Sequence, residues 1–148
     1  MNANHQLQSR LETAEVRLES QTKEIASYLT EARTDGLTGL SNRRAFDQQL
    51  DEQFRSFAQT RKPFSLALID IDHFKKINDR YGHAFGDKVL QRIVEVARGQ
   101  LRPPDIVGRY GGEEFAIGLV ECSLEGAQRI AERIRLRISE SSIAWEQN

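Results

Sequence analysis

The sequence predicts an α/β domain with a mixed sheet and flanking helices, preceded by a coiled-coil helix. Three observations carry this prediction. Residues 1–34 hold a heptad repeat and contain neither Gly nor Pro. Short apolar runs at 64–71, 106–110 and 115–120 have strand character, the last two joined through Gly111-Gly112. Around them, apolar residues recur at helical spacing.

In the first segment, Leu11, Leu18, Ile25 and Ala32 repeat every seven residues, and Leu7, Ala14, Gln21 and Tyr28 interleave with them. Steps alternating three and four form the a/d seam of a coiled coil, so residues 1–34 are expected to be a dimeric stalk. Gln21 at a d position weakens the seam but can fix its register. Asp35-Gly36 breaks the helix, with Gly36 and Gly39 as turn residues. Ser41 is the expected cap of a helix over 42–58 that sets Phe46, Leu50, Phe54 and Phe57 on one face. Pro63 ends the connection, and residues 64–71 read as a central strand. A short helix over 73–81 and a longer one over 87–101 follow, the second turning Val89, Leu90, Ile93, Val94 and Ala97 inward. After the 106–120 hairpin, Ser123 can cap a last helix on which Ala127, Ile130, Ala131, Ile134 and Ile138 recur. The order helix, strand, two helices, hairpin, helix is that of an α/β domain.

Composition narrows the function. A net charge of -1 gives no global field toward nucleic acid or an anionic membrane, and no recognition-helix pattern is present. The lone Cys122 cannot form an internal disulfide and reads as a small core residue. No apolar run approaches a membrane span of about 20 residues, and residues 2–10 lack the apolar core of a signal peptide. A cytoplasmic protein is expected.

The chemistry gathers on carboxylates. Alternation sets Asp70 and Asp72 on the same side of a strand end, with Ile71 turned into the core. Glu113 and Glu114 lie in or beside the hairpin turn. Acids brought together need a cation or donors, and hard divalent ions favour such oxygens. Gly111 and Gly112 allow a tight turn and remove side chains where a ligand would press on the backbone. His73, Phe74, Lys75 and Lys76 open a short helix whose free amides suit phosphate oxygens. Asn78 and Asp87 flank a turn containing Gly82 and Gly86. Together an amide and a carboxylate can read guanine; taken singly, Asn78 is a helix-end cap and Asp87 an N-cap.

Four blocks in order, DGLTGLSNRRAF at 35–46, DIDHFKKIND at 70–79, GHAFGDKVL at 82–90 and RYGGEEF at 109–115, resemble the GGDEF family of diguanylate cyclases, in its GGEEF variant. The resemblance covers residue 35 onward. It implies a palm-like, nucleotide-cyclase-like sheet and condensation of two GTP into cyclic di-GMP and two pyrophosphates across a dimer. It further implies that Asp70, the Ile71 carbonyl, Glu113 and Glu114 hold two Mg²⁺ or Mn²⁺ ions per active site, with Asp70, Glu113 and Glu114 catalytic. Asn78 and Asp87 would read guanine, amides around Phe74 and Lys75 would hold phosphates, and Gly111 and Gly112 would let the nucleotide lie on the hairpin. Arg102-Pro103-Pro104-Asp105 is similar to the family's inhibitory RxxD motif, with Arg133 a candidate to complete that product site. The expected partners are GTP, cyclic di-GMP, a second copy through the stalk and a regulatory protein acting on it, in a bacterial cytoplasm. A binding module without turnover is the rival reading, against which the retained Asp70, Glu113 and Glu114 argue.

The family continues past the last helix with a further strand, a hairpin and a helix carrying a lysine and an arginine for the triphosphate. Residues 145–148 do not supply them, so residues 35–148 are expected to be a GGDEF domain lacking its C-terminal part.

Overall fold

A computed structural model describes residues 3–143 of the chain. The residues at 145–148, on which the expectation of a shortened domain rests, lie outside them. The described residues form two compact units that divide between Arg33 and Thr34.

The first unit is one helix, α1 (Ala3–Arg33). Its threonines fit a helix because Thr13, Thr22 and Thr30 each donate their hydroxyl to the carbonyl four residues back, at 2.7–2.9 Å. Within this unit the large seam residues stay exposed, from 57% at Leu11 to 66% at Tyr28.

The second unit runs α2 (Arg43–Thr60), β1 (Phe64–Asp70), α3 (Phe74–Tyr81), α4 (His83–Arg98), β2 (Ile106–Arg109), β3 (Glu114–Val120) and α5 (Leu124–Glu140). The strands lie in the order β1-β3-β2, with both ladders antiparallel, so among the described residues β3 is central and β1, expected to be central, pairs on one side only. A single parallel bridge from Ser41 to Gly108 adds the second sense of pairing at the β2 side.

Alternation along the strands builds the core. Ala67 and Ile69 of β1 stand opposite Ile117 and Phe115 of β3, and this row faces the helices α4 and α5. Val89, Leu90, Ile93 and Val94 of α4 meet Phe115 and Leu40 in one buried cluster. Ile134, Ala127, Ala97 and Cys122 meet Ile117 and Leu119 in a second, so the cysteine is a core residue as expected. On the opposite face, α2 lays Phe46 against Gly108; a Cβ at Gly108 would stand 2.8 Å from the Phe46 side chain. Leu66 and Leu68 share that face of β1 and are 48% and 71% exposed.

Three local expectations are corrected. The cap of α2 is Asn42, whose side chain accepts from the Ala45 N–H at 3.0 Å. Ser41 is drawn instead into backbone bridges with Thr34 and Gly108. The apolar face of α2 is buried only at its start, since α2 meets mainly β2; Phe54 remains 60% exposed, its ring 6.4 Å from that of Phe64. Finally, α4 begins at His83, four residues before Asp87, so Gly86 and Asp87 belong to its first turns and neither is a loop or cap residue. Gly86 is kept there by close packing, as described below.

Substitution Gly108→Ala is expected to lower stability by about 1–3 kcal/mol through overpacking against Phe46. A urea melt with an unchanged slope and a lowered midpoint would show it, and an unchanged midpoint would contradict this packing.

Candidate active site

Asp70 closes β1 and Glu114 opens β3, and the register sets them directly opposite. Both are exposed. Like charges facing each other across a ladder repel. Among the described residues neither carboxylate has an ion-pair partner. Glu113 is half-buried beside them, and its carbonyl accepts the Ile71 N–H at 3.3 Å. Ile71 packs into the first core cluster, which anchors the chain as it leaves β1. Asp72 lies past the strand end, in the turn toward α3, and lines the same cleft of about 620 Å³ between β1 and α5 as Asp70.

The hairpin turn closes on one acceptor. The Tyr110 and Gly111 N–H groups both donate to the Glu114 carbonyl, at 2.8 and 3.2 Å. The Glu114 carboxylate lies over Gly111, where any Cβ would collide with it. Among the described residues no three His, Cys, Asp or Glu side chains are gathered into a ready cation cage. What the chain offers is a pair of uncompensated anionic oxygens with Glu113 and the Ile71 carbonyl nearby. Such hard oxygens fit a divalent cation whose remaining positions go to water or phosphate.

The second group of candidates is joined by Gly86. Asn78 Oδ1 is buried with no hydrogen-bond partner, and it sits where a Cβ on Gly86 would be. A buried unpaired acceptor is costly, so this amide suits a ligand. Close contact of α3 with the first turn of α4 thereby sets Asp87, exposed, one residue after the glycine that Asn78 touches. At the start of α3, Phe74 is buried and Lys75 exposed. No side chain caps this end, because the residue before it, His73, is in the left-handed region at φ 59°.

Arg102 and Asp105 lie before β2, at the opposite end of that strand from Gly111. The Asp105 side chain is 1% exposed; its oxygens accept the Arg102 N–H at 2.9 Å and the Val120 N–H at 3.0 Å. The Arg102 guanidinium is half-exposed and donates to the Val120 carbonyl at 2.5 Å. Arg133 reaches the same region, donating to the Gln100 side chain and carbonyl at 2.9 and 3.1 Å.

In the sequence Asp35 stands only as part of a helix break and Arg109 only as the first residue of the RYGGEEF block. Their side chains pair at 3.2 Å and are 20% and 18% exposed. Burial pushes the Asp35 carboxyl upward, but hydrogen bonds from Thr38 and the Arg109 guanidinium outweigh this and hold it below its ordinary value. The Asp-x-x-Thr spacing was a legible turn signal. Nothing in the sequence linked it to an arginine 74 residues away.

Comparison with known proteins bears on this arrangement. The family "Diguanylate cyclase, GGDEF domain" matches residues 32–148. The chain belongs to that family. It is 41% identical over 126 residues to diguanylate cyclase DgcP of Pseudomonas aeruginosa, covering 82% of this chain and 19% of that protein. Across the first curated relatives the chain spans only 19–33% of their length. Among solved structures, the coiled coil and GGDEF domain of DgcB from Caulobacter crescentus, in complex with c-di-GMP, is 34% identical with a TM-score of 0.87. That match covers 93% of this chain and 72% of the other. Diguanylate cyclase SiaD of P. aeruginosa, in complex with its activator SiaC, is 33% identical with a TM-score of 0.73, covering 96% of this chain and 56% of SiaD. GGDEF domains are cyclases of the nucleotidyltransferase type and generally depend on a divalent metal. Among the described residues no helix is long and apolar enough to cross a membrane.

Proposed function

We propose that the protein to which this chain belongs is a diguanylate cyclase, joining two GTP into cyclic di-GMP with release of two pyrophosphates. The observation that carries this reading is the uncompensated Asp70–Glu114 pair beside the Gly111-Gly112 turn, in a chain of this family. Asp70, Glu113, Glu114 and the Ile71 carbonyl hold two Mg²⁺ or Mn²⁺ ions. Bound there, the metals supply charge neutralisation for the phosphates and for the developing alkoxide. Asn78 and Asp87 grip the guanine edge, which gives the unpaired Asn78 oxygen a partner. Lys75 and the backbone amides around Phe74 and Lys75, at a helix start that no side chain caps, hold terminal phosphates. Gly111 and Gly112 leave room for the nucleotide against the hairpin. Glu113 takes the proton of the attacking 3′-hydroxyl as the new O–P bond forms and pyrophosphate leaves.

One domain holds one GTP, so the reaction needs two domains facing each other. The exposed seam of α1 supports dimerisation through a coiled coil, which raises the local concentration of one domain near its partner. A regulatory protein acting on this helix would set the activity, a reading supported by the activator bound to SiaD. Residues 35–148 act as a GGDEF domain, and the protein works in the cytoplasm. Product feedback is assigned to Arg102, which retains exposed guanidinium, with Asp105 shaping the turn and Arg133 adjoining it.

Incubating the intact protein with GTP and Mg²⁺ and separating the products by chromatography tests the central reading. Cyclic di-GMP and pyrophosphate are expected, and Glu113→Gln should lower turnover by about 10²–10⁴-fold with an unchanged melting curve. Binding of GTP with no product would identify a binding module instead. The double substitution Leu11→Glu, Leu18→Glu should halve the mass seen in sedimentation and lower turnover with it; an unchanged mass would exclude the stalk as the dimer contact. Arg102→Ala should abolish inhibition by added cyclic di-GMP while leaving the uninhibited rate in place. Persistent inhibition would remove Arg102 from the product site.

A further inference from the structure

We propose that Asp35 is a positioning residue for the Gly111-Gly112 turn, acting through Arg109. The turn needs an outside hold. Its own closure uses the Tyr110 and Gly111 N–H groups on the Glu114 carbonyl, and a Cβ at Gly112 would touch nothing within 4 Å. Side-chain packing therefore does not fix Gly112, and glycine is the residue with the widest choice of backbone conformations. The Gly112 carbonyl is held instead by the fork of Arg109, whose Nη2 and Nε donate to it at 2.7 and 3.3 Å.

The third nitrogen of the same guanidinium, Nη1, donates to both Asp35 oxygens at 3.3 and 3.2 Å. A guanidinium is planar and rigid, so fixing one side of it aims the other. Asp35 is itself immobilised. It accepts the Thr38 N–H at 2.9 Å and the Thr38 hydroxyl at 2.6 Å. Its own N–H donates to the Leu40 carbonyl at 2.8 Å, and one residue on, the Ser41 carbonyl accepts the Arg109 N–H at 2.9 Å. The 35–41 turn and the end of β2 are thus laced together twice, once by backbone and once by this ion pair. Among the described residues every other ion pair has at least one side chain more than half exposed, whereas here both are shielded, so solvent screens the contact weakly.

The consequence lies on the hairpin. Glu113 and Glu114 follow Gly112 directly, so the direction of the Gly112 carbonyl governs how the acidic pair leaves the turn. Among the described residues the hydrogen bonds of the Asp35 side chain go to Thr38 and Arg109 and to neither acid. It works by making Arg109 present its fork in one orientation. This inference deepens the cyclase reading where it concerns turnover, and stands apart from it where it concerns the order of the turn.

The test uses the full chain labelled with ¹⁵N, comparing wild type with Asp35→Asn and Arg109→Lys. Arg109→Lys keeps the charge but loses the fork. Ile134→Val, on α5 in the second core cluster, serves as a control for a general loss of stability. Amide order parameters at Gly111 and Gly112 are expected to fall from about 0.85 to below about 0.6 in both clamp variants, while amides of α4 and those of the control stay rigid. In the intact protein the same variants should lower kcat about tenfold or more with KM for GTP changed less than threefold. Unchanged order at both glycines in a folded Asp35→Asn or Arg109→Lys protein would overturn the proposal. So would equal loss in the Ile134→Val control. Absence of cyclic di-GMP synthesis by the wild type would overturn the cyclase reading alone, and the order parameters would still decide the clamp.

Discussion

Ile69 meets Phe115 and Ala67 meets Ile117 across β1 and β3, and this apolar row beneath α4 and α5 locks the register of the sheet. A slip of β1 by one residue would turn Ala67 and Ile69 toward the opposite face and leave Ile117 and Phe115 without their partners. The same register sets Asp70 against Glu114 at the end of the ladder. Burial at one end of the pair of strands thus holds two repelling charges together at the other. The hydrophobic effect does the positioning, and a cation would find its oxygens already assembled.

The nucleotide-reading candidates depend on a different constraint, the close approach of α3 to α4. Gly86 is what allows it. With a side chain at that position Asn78 would be pushed aside, and the ring of Phe74 would be crowded at 3.2 Å. The cost of glycine in a helix is roughly 1 kcal/mol. Here it lets the Asn78 Oδ1 remain unpaired and buried against the first turn of α4. Both features are unfavourable for stability alone, and sites that serve a ligand commonly carry such costs.

The two ends of β2 carry different duties. At its exit, Arg109 ties the glycine turn to Asp35. At its entry, Asp105 is consumed by backbone amides while Arg102 keeps part of its charge exposed. A strand of four residues spans only about 13 Å, so the glycine turn and the arginine turn share one short rigid element. In α1 the situation is simpler. Its leucines have no cover within their own unit, and a second helix offering the same seam would bury them.

Much of this was legible in the chain itself. Heptad spacing gave α1, β-branched and apolar runs gave the strands, and Ser123 was correctly read as a cap. These are properties of neighbours in sequence, where local spacing and local chemistry determine the outcome. The acids at 70 and 113–114, the arginine at 102 and the glycines at 111–112 were equally visible, and the four motif blocks placed the chain in its family. Helix α4 was misjudged at its start because glycine suggests a turn, whereas contact with Asn78 overrides that preference. Ser41 lost its capping role because β2, far along the chain, offered it a backbone partner. Only the tertiary structure decided that Asp70 faces Glu114, that Asn78 is left unpaired, and that Asp35 reaches Arg109. Each joins residues that sequence separation keeps apart, and their meeting is set by the packing of the sheet against its helices, which no local pattern encodes.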